Sequence, residues 1–163
     1  MTDRETSIDI VTALKVDDEL VEAIARLVRQ LSKSSSIPTV AQLNEIVSAD
    51  CTTLLLARDR SLGGHIIGML TLAVFRIPTG VRAWIEDVAV DASARGKGVG
   101  ESLSREALRI AEAKGARTVE LTSRPSREAA NRLYHRLGFL PRETNVYRFN
   151  IDKQSPSLLT NDH

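Results

Sequence analysis

The densest chemistry in the sequence lies between Arg95 and Glu101, which reads Arg-Gly-Lys-Gly-Val-Gly-Glu. A loop that opens onto a helix exposes several unpaired backbone N–H groups, and the helix dipole adds partial positive charge there. Gly96, Gly98 and Gly100 lack Cβ atoms, so the backbone can wrap closely around an anion such as a pyrophosphate, with Arg95 and Lys97 adding cationic side chains. A dinucleotide fingerprint, G-x-G-x-x-G, would require glycine at 101, where Glu101 stands, although Glu120 sits where its distant acidic residue is expected. A G-x-x-x-x-G-K-[ST] loop is excluded too, because no Lys-Ser or Lys-Thr follows Gly98 or Gly100. Upstream, Glu86 and Asp87 form an acidic pair among the β-formers Trp84, Ile85, Val88 and Val90. Two carboxylates there can take a proton or hold a cation.

The elements that position these residues follow from periodicity. Trp84 to Asp91 reads as a strand, and from Val99 the apolar residues Val99, Leu103, Ala107, Ile110 and Ala111 fall on one helical face. Gly115 then sits where a left-handed cap is wanted. Before these, Ser7 to Leu14 alternates as a first strand. Asp17 and Asp18 open a helix with Leu20, Ile24, Leu27 and Leu31 on one side. Ser32 to Pro38 is a loop, and Thr39 with Gln42 forms a capping box for a second helix. Cys51 to Arg58 is a strand that places Cys51 as a small buried residue, and Asp59 to Gly64 is a turn. The near-unbroken apolar run from Ile66 to Phe75 predicts a central strand covered on both faces. Arg117 to Thr122 is a further strand, Ser126 caps a helix from Arg127 to Leu137, and Gly138 ends it. Phe139-Leu140 and Asn145 to Ile151 supply two last strands, and residues 152–163 a mobile tail. The alternation predicts an α/β sandwich built on one mixed sheet.

A chain of 163 residues, with 42% hydrophobic and 26% charged residues, has the size and composition of one ordinary globular domain. The net charge of +1 and the 4% aromatic content point away from nucleic acid and acidic membrane surfaces. No apolar run reaches the length of a membrane span. Cys51 is the single cysteine, which rules out an internal disulfide and suits a reducing cytoplasm. His65, His135 and His163 are scattered without carboxylates or thiols at ligand spacing, so no metal is expected.

The loop fits one further pattern, [RQ]-x-x-G-x-[GA], filled by Arg95, Gly98 and Gly100. Together with Val88-Ala89-Val90-Asp91 before it, and Ala129-Ala130-Asn131-Arg132-Leu133-Tyr134 running to Gly138-Phe139 after it, it resembles the GCN5-related N-acetyltransferase (GNAT) superfamily. That resemblance implies a GNAT-like α/β fold, with a central mixed, mostly antiparallel sheet of about seven strands and helices on both faces. It implies a single acetyltransferase domain over residues 1–151. It further implies acetyl-CoA as co-substrate, a bulge in the fourth strand, and a gap beside that strand for the pantetheine arm. Val88, Ala89 and Val90 would meet the thioester end, and the backbone from Arg95 through Gly96, Lys97, Gly98, Val99 and Gly100 to Glu101 would hold the pyrophosphate.

Moving an acetyl group to an amine needs a neutral amine, a donor for the oxyanion and a proton for the leaving thiolate. The resemblance makes Tyr134 the general acid, with Glu86 the first and Asp87 the second candidate base. If the strand alternates regularly, only one carboxylate faces the acetyl group, and a bulge would exchange them. The chain departs from the family where many members carry asparagine seven residues before the tyrosine. Here Arg127 stands, either to reach a cofactor phosphate or with its part taken by Asn131, one turn before Tyr134. The acceptor, a small-molecule or protein amine, would be bounded by Ser32–Thr39 and Leu140–Asn145. The run Ile85–Val90 resembles glucosamine-phosphate acetyltransferases, which leaves a small amine, an amino sugar and a protein N-terminus or lysine all open. A homodimer is a further expectation. A non-catalytic acyl-CoA-binding sensor or interaction module on the same fold is the competing reading; it could dispense with Tyr134.

Overall fold

A computed structural model describes residues 7–151, so the tail expected at 152–163 lies outside the described residues. Among the described residues five strands and four α-helices form. They run β1 (Ile8–Thr12), α1 (Asp18–Leu31), α2 (Val40–Ser48), β2 (Thr52–Asp59), β3 (His65–Ile77), β4 (Gly80–Val90), α3 (Val99–Ala113), β5 (Thr118–Glu120) and α4 (Glu128–Arg136). In the sheet the order is β1-β2-β3-β4-β5, so every strand lies beside its neighbour in sequence. The first four are antiparallel, and β5 joins β4 in parallel after the α3 crossover. None of the helices among the described residues is long and apolar enough to cross a membrane.

Local chemistry explains the helix starts. Asp17 accepts from the Leu20 N–H at 3.0 Å to begin α1, and Thr39 and Gln42 make the reciprocal capping box of α2. Each helix buries one stripe. Leu20, Ala23, Ile24 and Leu27 of α1 pack with Leu43 of α2 against Leu54, Leu56, Ile66 and Met69 on one sheet face. Val99, Leu103, Ala107 and Ala111 of α3 pack against Leu55, Ile67, Leu70 and Leu72 on the other. β3 is thus covered on both sides, as its unbroken apolar run requires.

Two bulges interrupt the strict alternation. β2 pairs Ala57 with Gly68 and Arg58 with Ile66, which leaves Ile67 as the extra residue of β3. β4 pairs Glu86 with Thr71 and Ala89 with Met69, so Asp87 and Val88 together oppose one residue of β3. One extra residue exchanges the faces of everything beyond it. Before the second bulge Ala83 and Ile85 belong to the α3 side; after it Val88 and Val90 do, and Ala89 turns to the α1–α2 side.

Several expectations are corrected here. The sheet has five strands rather than seven: neither Phe139–Leu140 nor Asn145–Ile151 forms a strand. A strand needs an edge to pair with and a face to bury. β5 offers an edge of three residues, while Leu140, Val146, Tyr147, Phe149 and Ile151 remain exposed. Pro141, lacking an N–H, further interrupts this stretch. Cys51 is exposed, one residue before β2, rather than buried within it. Ser126 does not cap α4; Arg127 occupies the N-cap position with no side-chain capping bond. Gly115 and Gly138 do adopt the left-handed conformation expected of helix ends, at φ 78° and 92°.

Candidate active site

β5 accompanies β4 only from Arg82 to Trp84. Beyond that point the β4 edge from Glu86 to Val90 has no strand beside it, and α4 stands across a cleft of about 2500 Å³. The cleft runs from the loop after α1, past β4, to the glycine loop that opens α3. The bulge lies at its middle. Asp87 holds φ 50°, the single non-glycine residue with positive φ among the described residues. That left-handed conformation costs an L-residue roughly 1–2 kcal/mol, so the surrounding pairing must hold it in place.

The faces of the two carboxylates follow. Glu86 shares its face with Trp84, whose indole Nε1–H donates to Glu86 Oε1 at 2.6 Å. This face looks toward the α1–α2 layer, opposite Ile85. Asp87 sits on the bulge, exposed. Both line the cleft.

At the far end, Asp91 leaves β4 and a single tight turn, Ala92–Ala94, leads to the glycines. Gly96 and Gly98 have φ 77° and 81°, and a Cβ on either would meet nothing within 4 Å. Their need for glycine comes from the backbone, and the space above them is open. Gly98 is the N-cap of α3 with no side-chain cap, leaving the first N–H groups of that helix for an outside acceptor. Gly100 works differently: a Cβ there would lie 3.3 Å from Leu133 Cδ2, so this glycine lets α3 and α4 approach. Val99 is a core residue and offers only its backbone. Arg95 lines the cleft, whereas Lys97 does not; its charge acts on Asp59 instead. Glu101 forms an ion pair with Arg105 at 2.8 Å.

A clamp from α1 fixes the entry to this loop, and the sequence gives little hint of it. Arg26 Nε donates to Asp91 Oδ2 at 2.9 Å while its Nη2 donates to the Ile66 carbonyl at 2.6 Å. Gln30 Nε2 donates to Asp91 Oδ1, and Gln30 Oε1 accepts from the Ala92 N–H, both at 2.9 Å. Burial alone would push the Asp91 carboxyl up, but the bonds from Gln30 and Arg26 outweigh it and hold its pKa below the usual value. Arg26 and Gln30 lie one turn apart beside the buried stripe of α1, the sole available signal. Their partner is more than sixty residues away.

On α4, Tyr134 is 8% exposed and stacks edge-on with Phe139 at 5.7 Å. Among the described residues no hydrogen-bond partner reaches its hydroxyl. Burial raises its pKa, and the positive charge of Arg127 opposes that rise. Arg127 Nη2 approaches the Val88 carbonyl at 3.5 Å, which shows that this carbonyl is turned into the gap. Asn131 Nδ2 donates to the Arg124 carbonyl at 3.0 Å, so its amide group shapes the loop before α4. Ser123 Oγ, in the same loop, is buried without a partner. The residues present suit a long, amide-bearing phosphate ester. They combine an open strand edge, an orphaned hydroxyl and a glycine loop with vacant space above it. Among the described residues no group of three His, Cys, Asp or Glu side chains could hold a metal ion.

Comparison with known proteins bears on this geometry. No curated protein resembles the chain closely enough to count as a sequence relative. Solved structures do match in fold. A transcriptional regulator from Bacillus halodurans C-125 is 25% identical with a TM-score of 0.73, covering 88% of this chain and 99% of that one. An aminoglycoside acetyltransferase, meta-AAC0020 from an uncultured soil metagenomic sample, is 21% identical with a TM-score of 0.77, covering 90% and 97%. The aminoglycoside N-acetyltransferase AAC(6')-Iy in complex with CoA is 20% identical with a TM-score of 0.73, covering 93% and 99%. The model of the acetyltransferase (GNAT) family matches residues 19–139, from the second residue of α1 to the phenylalanine beside Tyr134. By that match, which takes in the bulged strand, the glycine loop and α4, the chain belongs to the GNAT acetyltransferase family.

Proposed function

We propose that the chain, as one acetyltransferase domain over residues 1–151, moves an acetyl group from acetyl-CoA directly to a primary amine. The observation that carries this reading is the open β4 edge, which faces Tyr134 and ends at the glycine loop. An extended arm bearing amides can lie along such an edge as an added strand. Its diphosphate then reaches the backbone N–H groups between Arg95 and Glu101. A neighbour of the same fold solved with CoA supports the cofactor.

The chemistry follows from the positions. Glu86 or Asp87, directly or through a water, takes the proton from the amine, whose nitrogen attacks the thioester carbonyl carbon. As the C–N bond forms, a backbone N–H between Val88 and Val90 stabilises the oxyanion. The C–S bond then breaks, its electron pair goes to sulfur, and the Tyr134 hydroxyl proton follows. Burial keeps that phenol protonated through the neutral range. Cys51 does not line the cleft, which favours direct attack over a covalent acyl-enzyme. Cys51→Ala should leave turnover intact; an acetyl-enzyme seen by mass spectrometry and lost in Cys51→Ala would overturn direct transfer.

For the acceptor, the exposed Glu86–Asp87 pair favours a small cationic amine, and the soil-metagenome neighbour was solved with sisomicin. The deciding experiment incubates the protein with acetyl-CoA and a panel of small amines, amino sugars, aminoglycosides and lysine peptides, reading thiol release. Release with one class supports the enzyme; binding of acetyl-CoA with no release from any amine supports the sensor. The exposed Tyr147, Phe149 and Ile151 favour a homodimer in solution, which sedimentation velocity tests.

A further inference from the structure

Arg127 has no settled part in the reaction above, yet its position along β4 is specific. Its guanidinium lies against the Val88 carbonyl at 3.5 Å, immediately beyond Asp87. Three residues of strand, about 10 Å at 3.3 Å each, separate Val88 from Asp91 and the anion loop that follows. Arg127 is also the N-cap residue of α4, seven residues before Tyr134, and its charge reaches that phenol. The cation therefore sits at the bulge, against Val88 and within electrostatic reach of the Tyr134 phenol, and away from the phosphate end.

Resting on the acetyl-transfer reading, we propose that Arg127 stabilises the thiolate that departs from CoA, holding positive charge at the sulfur while Tyr134 delivers the proton. The atoms balance without any further reactant. The C–S electron pair moves to sulfur, the guanidinium offsets the charge as it develops, and the phenol proton then neutralises it. Two observations fit. The only hydrogen bond of Arg127's side chain among the described residues is at the long limit of such bonds, so the guanidinium is free to turn. Its charge already acts on Tyr134, against the effect of burial. A bound acyl chain would cover this exposed group and exclude water, which strengthens its field.

The test compares wild type, Arg127→Gln and Arg127→Lys. The variants should bind acetyl-CoA nearly as well as wild type. Arg127→Gln should lose about tenfold or more in kcat with little change in KM for acetyl-CoA, and Arg127→Lys should regain part of it. Free CoA gives a second readout: the ultraviolet absorbance of its thiolate should be stronger when bound to wild type than when bound to Arg127→Gln. An unchanged kcat, or a raised KM alone, would overturn the proposal and assign Arg127 to a phosphate; equal thiolate absorbance in both proteins would overturn it as well. If wild type binds neither acetyl-CoA nor CoA, the acetyl-transfer reading itself fails.

Discussion

Tyr134 concentrates what single residues decide. It is the one buried side chain of α4, and among the described residues its hydroxyl lies without a partner beside the cleft. Tyr134→Phe keeps the ring and its edge contact with Phe139, so the fold should persist. Loss of a general acid should lower turnover by about a hundred- to ten-thousand-fold, with affinity for acetyl-CoA little changed. Near-wild-type turnover in a steady-state assay would leave protonation to water. The titration has a stability consequence as well. Because burial raises the pKa above about 10, the folded state binds more protons than the unfolded state at higher pH. Stability should therefore fall as pH rises from that value through the folded pKa, and Tyr134→Phe should remove this alkaline loss from the melting curve. The position of Tyr134 on α4 beside the cleft was legible in the sequence because a motif fixes its place. The faces of Glu86 and Asp87 were not, because a single extra residue in β4 decides them and two-residue periodicity carries no trace of it. The buried reading of Cys51 failed for a related reason: the strand begins one residue later than its β-formers suggest.

Between elements, α1 and the glycine loop form a mechanical unit. The Arg26–Gln30–Asp91 clamp ties the turn before Arg95 to the last turns of a helix that leads directly into the Ser32–Pro38 loop. Gln30→Ala removes the partner of the Ala92 N–H and of one Asp91 oxygen at the rim of the cleft. It should raise KM for acetyl-CoA several-fold while kcat changes less, and isothermal titration would show the same loss. Asp91→Asn keeps the shape but not the charge. Since the carboxyl pKa is held below its usual value of about 3.9, the clamp adds stability above that pH and loses it as pH falls through the folded pKa. Melting temperatures of wild type and Asp91→Asn should converge in that acid window. A second contact concerns Gly68, where a Cβ would sit 3.0 Å from Val99 Cγ1 and 3.2 Å from the Ala89 carbonyl. Gly68→Ala should cost about 1–3 kcal/mol by overpacking, visible in urea denaturation, and should push α3 and its loop away from β4. Helix starts were readable because caps are local. The clamp and this close approach join residues distant in sequence, which local patterns do not encode.

At the scale of the whole molecule, both layers and the first four strands are written in the alternation of apolar runs. The two last strands were expected from equally good β-formers, Phe139-Leu140 and Asn145–Ile151, yet they do not form, because β-propensity needs a neighbouring edge and a face to cover. The sheet order, in which each strand joins the one just completed, has a consequence for the sequence of assembly and for slow opening motions. The β2–β3–β4 meander can zip up from local contacts, whereas the portion after α3 is fastened to the sheet by three strand pairings, at Thr118, Val119 and Glu120. Tyr134 thus rides on the part of the molecule held to the sheet by the fewest rungs. Amide hydrogen exchange should run slowest in β2, β3 and β4 and fastest beyond Leu121. If the cofactor lies between β4 and α4 as proposed, it bridges the two, so added CoA should slow exchange in α4 far more than in β3, making the substrate itself the last piece that closes the fold.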